Sequence, residues 1–406
     1  MMNVNAISHH RTSLTQESTQ KTLLFVVGAA CLLFSPVTLA TVNCVPGAAN
    51  PPIIDTIRLA PMNISAGQDI PVGTVIYRGS WSSKAPSGEH MVCYGSSRNQ
   101  EPFSFAMNSI VENVSRPLIN TSTMYGNSVY DSGIPGIGVV FTDGTSPITH
   151  TGMTEERRLL NMTASNNVPL GVQRTSGATR FIELIKTGPI SPGSYTLSAS
   201  TLPKIRLTYN NISGYTGATG LPISSNILQF DASITVNTQS CITPDVNVNL
   251  GTHDISQAFS GVGSKTGWVR AGLELTNCPT FYGFYNQSNT AQIFIGNAGG
   301  TGSIPASIAN TISAQFTPNT SVVDGPNGVM GLDSTATPAA TGVGIQLGWG
   351  EGNPVPFNLS QAQAMVLPKD GRSTIPVPLY ARYIQTNTAI TPGKANGKVT
   401  FLINYN

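Results

Sequence analysis

Short strand-like runs rich in apolar residues, separated by clusters of Gly, Pro, Asn and Ser, recur along the first half of the chain. Ile57–Leu59, Thr74–Tyr77, Met91–Tyr94, Gly138–Phe141, Phe181–Ile185 and Lys204–Tyr209 are such runs. Short strands at even spacing are the mark of a sandwich or barrel. The one helix-like patch is Thr154–Leu160, where Glu155-Glu156-Arg157-Arg158 predicts a single solvated turn. Alternation runs on through Ile234 and Val236, and a new pattern opens at Cys241. That change predicts two all-β domains, 41–236 and 237–406, each with a core of its own. In the second, Leu379, Ala381 and Tyr383 share one face of a strand expected over Val377–Gln385, and Asn297–Ser303 reads as a loop. The chain ends on Lys398–Asn406, where Val399, Phe401, Ile403 and Tyr405 alternate strictly with Lys398, Thr400, Leu402 and Asn404. Period-2 patterning puts the first four side chains on one face of a strand.

The only long apolar run is Leu23–Phe34, flanked by Lys21 and by Thr38-Leu39-Ala40. It is too short to span a bilayer of ~30 Å as a helix. A basic residue, a short apolar segment and a Thr-x-Ala site instead predict a secretory signal peptide over 1–40, with the mature chain starting at Thr41. Composition agrees with an exported β protein. The 406 residues include 41 Gly and 28 Pro, and charged residues make up only 10%, against roughly 25% in a typical soluble domain. Lys+Arg exceeds Asp+Glu by 21 − 19 = 2, so no strong field draws nucleic acid to the chain.

After the signal peptide the cysteines are Cys44, Cys93, Cys241 and Cys278. An even count in an oxidising compartment reads as disulfides, with three possible pairings. Cys44 and Cys93 lie in the first quarter and the other two lie beyond the middle, so local pairing would staple each domain separately. With no C-x-x-C and only His90, His150 and His253 in the mature chain, neither a metal site nor a cofactor is expected. Catalytic signatures such as H-E-x-x-H and G-x-S-x-G are missing, and Gly261–Gly267 fits no phosphate-binding loop, so no enzyme is expected.

Four features then converge in the second domain: Cys241 on an expected strand, the tract Leu275-Thr276-Asn277-Cys278-Pro279, Gly393 fourteenth from the end, and the penultimate Tyr405. Together they resemble the pilin domain of fimbrial subunits assembled by the chaperone–usher pathway, over about 170 residues. That resemblance implies an immunoglobulin-like sandwich lacking its last strand. A periplasmic chaperone, and later the adjacent subunit's extension, would complete it against Gly393, Val399, Phe401, Ile403 and Tyr405, with an outer-membrane usher as a further partner. The first domain is similar, more loosely, to the lectin domains of two-domain adhesins through Arg58-Leu59-Ala60-Pro61 and Leu184–Ile190. Only Thr41, Val42 and Asn43 precede Cys44, too few for a donor strand, which implies a subunit at the fibre tip. The expectation is a tip adhesin at the bacterial surface that binds a host receptor. A structural tip or adaptor subunit without a receptor is the alternative.

Glycan binding calls for amide side chains to meet vicinal hydroxyls and an aromatic face to stack on the sugar ring. One loop offering both follows Cys93, with Tyr94, Asn99 and Gln100 beside Arg98 and Glu101. Another is expected after Tyr209, with Asn210, Asn211 and Tyr215; Trp81 is a further aromatic candidate.

Overall fold

The computed structural model describes residues 41–49, 51–60, 63–83, 88–112, 125–151, 154–173, 179–296, 300–301 and 304–406. The expected signal peptide lies outside them. Among the described residues, helix is confined to Ile255–Ala258 and the 3-10 turn Gly126–Ser128; the other regular elements are strands.

In the N-terminal half two sheets share one core. One runs Tyr130–Ile134, Ile137–Thr142, Thr179–Lys186, Val75–Ser83. The other runs Gly193–Leu197, Ile223–Asn237, Lys204–Asn211, Glu101–Glu112, Thr154–Ala164, with Ile53–Arg58 and Asn63–Ser65 added parallel to the long Ile223–Asn237. Inward-facing residues of both sheets interdigitate. Phe141 of the first stacks on Phe230 of the second with centroids 5.3 Å apart, and both are fully buried. A third sheet pairs Val42–Pro46 with Met91–Gly95, setting Cys44 directly opposite Cys93. The disulfides are the local pairs, Cys44–Cys93 and Cys241–Cys278.

In the C-terminal half, Leu379–Gln385 and Val343–Trp349 form the centre of one sheet. Thr311–Pro318 joins the terminal strand Val399–Tyr405 and Gln363–Val366 in another. Their inner faces bury Leu273, Leu275, Phe316, Leu347 and Val377 in a separate core.

Three local expectations need correction. Thr154–Ala164 is a strand and not a helical turn. A helix of so few residues is marginal in water, whereas the long neighbour Glu101–Glu112 offers this stretch a ladder of backbone partners. Cys241 is not in a strand; the backbone around it makes one isolated bridge, Ile242 to Thr276. Within the expected loop Asn297–Ser303, Gly300–Thr301 is a strand paired with Gln292–Gly296.

That hairpin crosses between the halves. Gln292–Gly296 pairs in parallel with Val75–Ser83 and extends the N-terminal sheet. The residues leading into it penetrate the N-terminal core. Tyr285 and Ala291 are buried there, and Tyr285 meets Tyr77 edge-on at 6.2 Å. Beside them Arg78 and Glu183, both almost fully buried, pair at 3.0 Å. Arg78 also donates to the Gln287 carbonyl at 3.1 Å, and the Gln287 amide donates to the Tyr125 hydroxyl at 2.8 Å. Tyr125 donates in turn to Glu183. Burial holds the Glu183 carboxyl above the usual carboxylate range, opposed by the Tyr125 hydroxyl and the Arg78 guanidinium. A polar cluster this deep is stabilising only while every member has its partner.

Gln287→Ala should therefore loosen the N-terminal core although residue 287 lies in the other half of the sequence. Loss of buried hydrogen bonds to a charged cluster, about 1–3 kcal/mol, should speed amide exchange at Ile182 and Leu184 by on the order of tenfold or more.

Candidate functional site

The terminal strand lies at a sheet edge. Its even-numbered backbone groups face Thr311–Pro318, as the paired bonds between Thr311 and Asn406 and the Asn319 N–H to the Lys398 carbonyl establish. By the period of a strand, the N–H and C=O of Val399, Phe401 and Ile403 turn the other way. No strand among the described residues lies there. The side chains of these three residues belong to the core face yet are only half-buried.

A groove of about 1490 Å³ opens along this edge. Its floor includes Phe316, Met330, Ile345 and Leu347, and its far wall is the run 243–251, which belongs to no strand. Val246 and Val248 on that wall are 36% and 38% exposed. An unpaired backbone edge over an apolar floor is a template for an added strand, with alternate side chains filling pockets. Gly393 lines the groove, and a Cβ there would lie 2.4 Å from the Ala339 carbonyl carbon, so the close approach of two backbones requires glycine. Tyr405 is not part of the groove. It is buried, stacks on Phe281 at 6.3 Å and accepts a hydrogen bond from the Cys241 N–H at 3.2 Å.

The strand side of this groove, and a facing side drawn from the segment at Cys241, are expected from the sequence, whereas the individual wall residues and the floor are not. The alternation Val246, Val248, Leu250 against Asp245, Asn247, Asn249 was available as a signal for the wall. The floor comes from three separate strands and has no local signature.

The glycan candidates divide. Trp81 is fully buried in the N-terminal core, because it sits inside the strand Val75–Ser83. Tyr209 is fully buried too, edge-on to Phe105 at 5.8 Å. It shares the inward face with Ile205 and Leu207, so the alternation that predicts the strand also removes Tyr209 from the surface. Neither ring can stack on a ligand. Asn210 and Asn211 extend that strand and are not loop residues. The Asn210 amide donates to Asn108 at 3.1 Å, and Asn211 clasps both the N–H and the carbonyl of Ala218.

Tyr94, Asn99, Gln100 and Tyr215 are exposed. Tyr94 is in the strand Met91–Gly95 and not in a loop; the end of that strand and the loops carrying Asn99, Gln100 and Tyr215 lie at one end of the half, where Ser104 N–H donates to Thr216, Asn166 N–H to Ser97, and Thr219 N–H to Val42. Glu101 braces this end by accepting from the Ser96 hydroxyl at 2.7 Å and from the Ser96 and Ser97 N–H groups. Those donors lower its carboxyl from 4.5 to about 2.

Residues 228–406, a little under half the chain, match the family model for fimbrial proteins. The groove lies wholly inside the matched region. Among curated proteins none matches the chain. Solved structures with similarity include the CupB6 tip adhesin of Pseudomonas aeruginosa, at 12% identity over 89% of this chain and 94% of that one, TM-score 0.30. The receptor-binding domain of adhesin MrkD1P of Klebsiella pneumoniae is 21% identical over 50% of this chain and 98% of its own, TM-score 0.28. A chaperone–tip subunit complex, CsuC–CsuE of Acinetobacter baumannii, aligns at 11% identity over 89% of this chain and 99% of that one, TM-score 0.25.

Two outcomes follow from the geometry. Phe401→Asp should leave the chain less able to hold an added strand: a synthetic peptide of alternating apolar residues should raise the melting temperature of the unmodified protein, by mass action, and that of the variant far less. Separately, Glu101 is held below its ordinary range, so its stabilising contribution is present above about 4.5 and is lost as pH falls toward about 2. The protection of the Ser96 and Ser97 amides, taken relative to the intrinsic exchange rate at each pH, should fall over that window, and in Glu101→Gln it should not change there.

Proposed function

We propose that the chain is a fimbrial tip adhesin of the chaperone–usher type. The supporting observation is the open edge of Val399–Tyr405 over an apolar groove, in the half that matches the fimbrial family. In this reading the C-terminal half is an incomplete immunoglobulin-like domain. A periplasmic chaperone fills its groove in transit, and an adjacent subunit's strand fills it in the fibre after passage through the usher. The N-terminal half, built on 41–236, carries the receptor site, and the protein works at the bacterial surface. The exposed rings of Tyr94 and Tyr215, with the amides of Asn99 and Gln100 at the same end, suit a host-surface glycan.

The test uses the mature chain with its groove filled by a strand peptide, screened against glycans and matrix proteins. Tyr94→Ala and Tyr215→Ala should each weaken binding about three- to tenfold while leaving the melting temperature in place. If the complemented protein binds no glycan and no matrix protein, it is a structural subunit of the fibre.

A further inference from the structure

The open edge of the terminal strand does not run to its end. Tyr405 is the fourth residue of the set whose backbone faces the groove side, and both of its backbone groups are already covered by the N-terminal half. Its N–H donates to Asp69 Oδ2 at 2.8 Å. Its carbonyl lies against Gly67 so closely that a Cβ on Gly67 would sit 2.1 Å from the oxygen. Glycine at 67 is what allows the loop to lie flat on the strand.

The loop that does this is fixed from several sides. Buried Lys186 donates to the Gln68 carbonyl at 2.5 Å. Ala66 N–H donates to Asn237, and Ser65 N–H to Gly283. The buried Asn310 amide bridges the Ser65 and Asn406 carbonyls, at 3.2 and 3.4 Å.

We propose that Gly67–Asp69 act as a register stop for the strand that fills the groove. This rests on the strand-accepting reading above and deepens it. An incoming extended segment can pair with Val399, Phe401 and Ile403, and it ends where Asp69 occupies the next rung. A one-residue slip would turn its apolar side chains away from the floor. A fixed end to the ladder therefore selects a partner whose apolar residues begin at a set distance from its last pairing residue. The partner is an extended polypeptide segment with alternating apolar side chains, and its length on this side is dictated by the other half of the acceptor.

Amide hydrogen exchange on the mature chain tests this, using a peptide of alternating valine and threonine and the same peptide lengthened by one repeat. In the unmodified protein, Tyr405 should exchange slowly before any peptide is added, and neither peptide should change it. Val399, Phe401 and Ile403 should become protected on addition. In Asp69→Ala, Tyr405 should exchange on the order of ten- to a hundredfold faster, as expected for a lost hydrogen bond to a charged group, and the lengthened peptide should restore its protection. Fast exchange at Tyr405 that slows only with peptide would overturn the stop while leaving the groove reading intact, and so would unchanged slow exchange in Asp69→Ala. If Val399, Phe401 and Ile403 stay unprotected at saturating peptide, the strand-accepting reading itself fails and takes the stop with it.

Discussion

Backbone amides and carbonyls are obligatory hydrogen-bonding groups, and the terminal strand leaves those of three alternate residues without a strand partner. Most of the C-terminal half is arranged around that deficit. The half-burial of Val399, Phe401 and Ile403 goes with it, because no strand among the described residues closes over them. Leu402, on the opposite face, is 61% exposed, so the strand is a thin wall and not a core element. Such an edge is an aggregation template unless something is laid along it.

The N-terminal half handles the same problem differently. The outer edge of Val75–Ser83 is covered by Gln292–Gly296 from the far side of the sequence. The ion pair of Arg78 and Glu183 lies beneath that cover, and Gln287 completes its hydrogen bonding. One sheet is thus closed from within the chain and the other is left open. The two halves also meet at Asp69 and Tyr405, so neither is independent of the other.

What could be read from the sequence was local and periodic. Val399 to Tyr405 could be assigned because one face is apolar without a break, whereas Gly393 entered only through the resemblance to pilin domains. The disulfides followed from the position of the cysteines along the chain. Trp81 and Tyr209 were misjudged because an aromatic residue in a polar setting looks like a binding platform, when its place in the strand period decides the matter. The segment 281–291 left no trace, since Gln287 finds Arg78 209 residues away and nothing in its own composition marks that partner. The wall residues Val246 and Val248 were legible as an alternation, but their role is defined only by the strand they face across the groove.

The clamp of Gly67 and Asp69 on Tyr405 also bears on how tension would travel through the molecule. A pull applied along an occupied groove enters the protein through the terminal strand, directed along its axis. At the Tyr405 end that strand is tied directly to a loop of the N-terminal half, and through Lys186 to the end of one of its central strands. The linker after Asn237 is therefore not the sole mechanical connection. The hairpin seated on Val75–Ser83 is a third, parallel link. Load entering at Tyr405 is therefore shared between these links and the contacts of Ser65 with Gly283 and Asn310, and it reaches the N-terminal half by more than one route.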